Sequence, residues 1–156
     1  MSDIGGIIPE REMSDPLLAE LNRMAAFESH LIVDDTWNAK LTILIGGTYE
    51  QHIEAFKLRK LSKAEQIELA DYIRDGMKDN LAVVLQPNSK PGAQFIYFPR
   101  RPDITKPVIV GTIAHELLHV TIGILARAEV RLTAASEEAY TYLHGRLMQE
   151  FWKRLS

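Results

Sequence analysis

Residues 107–127 read PVIVGTIAHELLHVTIGILAR, a run in which apolar side chains surround the histidines at 115 and 119. A helix through it is apolar nearly all round, so it belongs at the centre of a domain and not on its surface. Pro107 suits a first helical turn and Thr105 can cap it, which places the helix start near 107. The β-branched Val108-Ile109-Val110 would also suit a strand. On either reading the histidines are expected in the middle of buried structure.

Inside the run stands His115-Glu116-Leu117-Leu118-His119. On a helix, side chains four apart share a face one turn apart, so the two imidazoles can hold a single zinc ion. Glu116 then points towards the open side of the metal, where it can take a proton from bound water. Chance alone would place this pattern in about one chain per hundred of this composition. The same pair would also suit a core helix whose histidines bond to backbone carbonyls.

The chain has no cysteine, which excludes disulfides, cysteine-rich zinc modules and thiol nucleophiles. Any metal must therefore rest on histidine and carboxylate. Catalytic zinc takes three protein ligands and a water, and His2Glu is a common set. A third ligand is expected downstream, at Glu137 or Glu138, near the start of a helix over about 134–155 that folds back against the first. At 100° per residue Glu137 lies nearer the stripe of Leu147 and Phe151, whereas Glu138 shares a face with Tyr142, so periodicity leans slightly to Glu137.

Working outward, Leu41 to Ile45 is a β-branched run closed by Gly46-Gly47, a strand and turn, after which Thr48 can cap a helix over 49–61. Ser62-Lys-Ala-Glu65 is a capping-box pattern opening a helix to about 78. Leu81 to Leu85 and Gln94 to Phe98 predict a hairpin whose tip, 86–92, holds two prolines and a glycine. An exposed strand edge can pair with an extended peptide through main-chain hydrogen bonds, and Gln94 to Phe98 is read as such an edge. Residues 1–15 are expected to be a loose arm, and Pro16 to Met24 a helix. His52 is expected at the surface and the pair Asp34-Asp35 in a loop.

At 156 residues, 46% hydrophobic and 25% charged, the chain fits one globular domain over 16–156 with a substantial core. A net charge of -3 gives no electrostatic reason to expect nucleic acid as a partner. The first residues lack a basic patch followed by a long apolar stretch, and no window approaches eighteen uninterrupted apolar residues, so no membrane partner is expected and a cytoplasmic location is.

The histidine motif followed by a glutamate on a second helix resembles the gluzincin class of zinc peptidases, where that glutamate stands before an alanine. Ser136-Glu137-Glu138-Ala139 matches with Glu138 in the ligand place. Over roughly residues 41–155 the chain also resembles small proteins of tailed phages and prophages, through Gly46-Gly-Thr-Tyr49, His115 to His119 and Glu138-Ala-Tyr-Thr-Tyr-Leu143. It departs from the metzincins, because Ile122 and Leu125 occupy their glycine and third histidine places.

These resemblances imply an α+β, zincin-like domain: a short, mostly antiparallel sheet packed on a central motif helix, and a C-terminal helix carrying the third ligand. They imply Zn2+ on His115, His119 and Glu138, with Glu137 second, and metal-bound water activated by Glu116 to hydrolyse a peptide or amide bond. Tyr142, Tyr140 or His144 would supply a donor to the oxyanion, Tyr142 being preferred. The expected partner is a protein or peptide substrate. The alternative is a phage structural or assembly protein, associated with virion proteins, that uses the fold as an interaction module.

Overall fold

The computed structural model describes residues 26–76 and 81–156; the expected arm and the helix from Pro16 lie outside them. Four strands, β1 (Glu28–Asp34), β2 (Ala39–Ile45), β3 (Val83–Leu85) and β4 (Ala93–Phe98), form one sheet in the order β1-β2-β4-β3. The outer pairs are antiparallel, and β2 runs parallel to β4 from Lys40↔Ala93 to Ile45↔Phe98. A parallel pair needs a crossover. Here α1 (Tyr49–Leu58) and α2 (Lys63–Gly76) make it before β3 turns back into β4. The domain is therefore α+β with a small mixed sheet.

Helices cover both faces of that sheet. Leu44, Phe95 and Tyr97 point to one side and pack with Phe56, Leu61, Ala70 and Ile73 of the crossover. Leu41, Ile43, Ile45, Ile96 and Phe98 point to the other, where α3 (Pro107–Arg127) brings Ile113, Leu117, Val120 and Ile124, and α4 (Glu137–Leu155) brings Leu143, Leu147 and Phe151. Strands buried on both faces lose polar alternation. β4, covered on both faces, is buried at all six positions and its sequence shows no such alternation.

Two local signals are realised in full and one in part. Thr48 caps α1, its hydroxyl accepting from the Gln51 N–H at 3.3 Å while the Gln51 side chain accepts from the Thr48 N–H at 2.9 Å. Ser62 accepts from the Glu65 N–H at 3.2 Å, but the Glu65 carboxylate turns to the N–H groups of Asn88 and Ser89, at 2.6 and 2.8 Å. Glu65 thus ties the β3–β4 tip to α2. Gly47, at φ +95°, permits the turn out of β2, and a Cβ there would collide with Phe27.

The structure corrects several expectations. β1 stands where no strand was expected, and Asp34 ends it, buried, accepting from the Trp37 N–H at 2.9 Å and paired with Arg146 at 3.4 Å. β4 is an inner strand, because β3 takes the edge. Lys106, not Thr105, occupies the N-cap of α3, since the Thr105 N–H and hydroxyl both donate to Asp103. His52 is 3% exposed, with its Nε2 donating to the Gly46 carbonyl at 2.7 Å and Tyr97 edge-on to its ring.

The largest correction concerns α3. It is long and apolar enough to cross a membrane, yet it serves as a core helix on one side only. Leu117 is fully buried, whereas Leu118 and Ile122 are each 43% exposed and Val108 is 70% exposed. The sheet and α4 cover the inner side, and no element among the described residues covers the outer one.

Leu117→Ala should cost about 2–5 kcal/mol in denaturant unfolding, the usual range for a buried leucine, and Leu118→Ala about 0.5 kcal/mol or less. Equal costs would mean that α3 is rotated. Burial, partly offset by the Gly46 carbonyl, holds His52 below its ordinary value of 6.5. Below that pH the unfolded chain takes up the proton first, so stability falls as pH drops from 6.5 towards the folded value. The urea midpoint should decline from pH 7.5 to 5.5, and His52→Gln should remove part of that decline.

Candidate metal centre

The direction in which α3 packs decides what the motif presents. Taking Leu117 as the centre of the buried side, steps of 100° put Ile113, Val120 and Ile124 within about 60° of it, and His115 and His119 about 160° to either side. Both histidines are accordingly exposed, not buried as the apolar run suggested. Glu116, about 100° round, is half-buried on one flank.

The two rings meet on that outer face. Their Nε2 atoms lie 3.1 Å apart and the rings stand edge to face, with centroids 4.8 Å apart. At this distance one Nε2–H donates to the lone pair of the other. Zinc–nitrogen bonds of 2.0–2.1 Å at a tetrahedral angle require a nitrogen separation of about 3.3–3.4 Å. The pair is within about 0.3 Å of that value, so the separation by itself is compatible with a shared divalent ion.

The flank of α3 is pinned from the end of β3. The Gln86 side-chain amide donates to the His119 carbonyl at 3.1 Å. It can do so because residue 123 is glycine: a Cβ there would run into the Gln86 amide and lie 3.3 Å from the Gln94 carboxamide oxygen. Neither glutamine carried a signal in the sequence, since each contact joins residues distant along the chain. Gly123 could have been noticed as a glycine inside a helical pattern, where it costs about 1 kcal/mol unless packing requires it.

The expected third ligand is not beside the pair. Among the described residues no group of three His, Asp or Glu side chains is arranged to hold a metal. Glu137 and Glu138 are exposed in the first turn of α4. Ser136, in the N-cap place, makes no cap, because its hydroxyl serves the preceding turn through Arg131 and Thr133. Two carboxylates by an uncapped helix start favour the helix dipole, a structural role that needs no metal.

The oxyanion candidates divide. Tyr140 is buried and donates to the Val130 carbonyl at 2.6 Å, and His144 Nε2 meets the Ala114 carbonyl at 3.0 Å, tying α4 to α3. Tyr142 is 71% exposed on the outer side of α4. The structure thus brings His115 and His119 together with Glu116 on the same helix, and leaves Glu138 and Tyr142 on a neighbouring one. No family model, curated protein or solved structure matches this chain.

Proposed function

We propose that the protein is a zinc-dependent hydrolase of peptide or amide bonds, built on His115, Glu116 and His119 in a minimal zincin-like domain. The observation that carries this reading is the convergence of the two Nε2 atoms at 3.1 Å on an accessible helix face. Zinc held by His115 and His119 would supply a Lewis acid and hydroxide at neutral pH.

The chain's own residues do the rest. Glu116 sits between the histidines in sequence and to one side of them on the helix, where its carboxylate serves as general base and then returns the proton to the leaving amine. Glu138, with Glu137 second, would complete the ligand set from the first turn of α4, which metal binding would have to draw towards the pair. Tyr142 is the preferred oxyanion donor. Because β4 is an inner strand, the edge that would take an extended peptide is, among the described residues, β3, Val83–Leu85, whose following residue Gln86 already bonds the motif helix.

A second reading has its own observation. Val108, Leu118 and Ile122 leave an apolar stripe on the outer side of α3. Such a stripe suits an interaction module, as in a phage assembly or virion-associated protein, with the metal serving structure.

Glu116→Gln separates the two. Under the hydrolase reading it keeps the zinc of the parent protein and loses about 10²–10⁴-fold in turnover of a mixed peptide library, the usual contribution of a general base. Parent and variant cleaving equally would remove Glu116 as the base, and neither cleaving while both bind zinc would favour the second reading.

A further inference from the structure

We infer that one divalent metal ion bridges two copies of this chain across the outer face of α3, each copy supplying His115 and His119. The inference rests on the metal-binding reading of the pair and gives the interaction module its partner.

Ligand count favours the bridge. Each chain brings two imidazole Nε2 atoms within 3.1 Å of one another, and the described residues arrange no third donor beside them. Zinc in a structural site takes four ligands in a tetrahedron. A two-fold axis through the point between the Nε2 atoms supplies the missing two from an identical face, because a two-fold interface sets the same patch of both subunits against itself.

Charge and shape allow that encounter. Between Pro107 and Ala126 the only Asp, Glu, Lys or Arg is Glu116, which lies on the flank. The outer stripe therefore meets its own copy without a row of like charges. Gly111 lies on it one turn before His115, and a Cβ there would meet nothing within 4 Å. Leu118 and Ile122 flank the histidines on the side towards α4, each partly exposed.

Area decides that the ion is required. From Val108 to Ala126 the stripe is about 27 Å long and about 10 Å wide, roughly 300 Å² per copy by helix dimensions. Stable specific interfaces bury about 800 Å² per partner. The apolar contact alone is too small to hold a dimer, so association should follow the metal. A site filled by four histidines has no position left for water. Bridging and hydrolysis are thus alternative uses of the same pair, and the bridged form is not the hydrolytic one.

The test titrates zinc into the full-length, metal-free protein while its mass is followed by sedimentation and its bound metal is counted. The expected result is a doubling of mass that saturates at one zinc per two chains and is reversed by a chelator. Cobalt(II) should substitute at the same ratio with a tetrahedral visible spectrum. His115→Ala and His119→Ala should each abolish the doubling. Leu118→Lys and Ile122→Lys keep all four ligands but set like charges across the axis, and should raise the zinc concentration at half-dimer at least tenfold. Circular dichroism on every variant confirms that it is folded.

One zinc per chain in a monomer would overturn the bridge and leave the hydrolase reading standing. A dimer that forms equally without metal would overturn the bridge as well, and no zinc binding at all would overturn both.

Discussion

The seam of Ile113, Leu117, Val120 and Ile124 against the sheet is the contact on which everything else turns. Burying those four side chains contributes to offsetting the conformational entropy of ordering a 21-residue helix and fixes its rotation, and helical geometry then leaves no freedom in where the remaining residues point. His115 and His119 face outward because Leu117 faces inward. Gln86 holds the flank through the His119 carbonyl, and His144 holds α4 through the Ala114 carbonyl. The chemistry of the motif is thus presented by packing and not by a loop, the arrangement that keeps ligand geometry within narrow limits.

The same seam explains why the surface is unusual. A four-stranded sheet covered on its other face by α1 and α2 has room for two helices on this one, and α3 and α4 lie there side by side. A helix as apolar as α3 has more hydrophobic surface than that layer can bury. Val108, Leu118 and Ile122 are left outward beside the histidines. Apolar side chains around an accessible histidine pair can serve a substrate cleft or a second subunit.

Much of the fold was legible where the signals were local. The Thr48 cap, the strand ending at Gly46-Gly47, the β3–β4 hairpin and the span from 107 to 127 each follow from residues within a few positions of one another. β1 was not legible, because its inward positions include His30 and Asp34, and the burial of Asp34 depends on Trp37 and on Arg146 far along the chain. The parallel pairing of β2 with β4 was hidden for a similar reason: no local pattern states which strand lies beside which. At the site the spacing of His115 and His119 was readable and the rotation of their helix was not. A run that is apolar all round does not say which side the sheet will take. Nor could spacing place Glu138, since a helical return sets its distance along the chain but not its approach to the pair.

The central claim is that α3 directs two imidazole nitrogens at one ion, and nitrogen NMR of the histidine rings during zinc addition tests it most directly. The account predicts that Nε2 of His115 and Nε2 of His119 shift together as one ion binds, with both rings fixed in the tautomer that keeps hydrogen on Nδ1. His52, whose Nε2 is engaged with the Gly46 carbonyl, should not respond. A shift at only one of the two rings, or at neither, would contradict it.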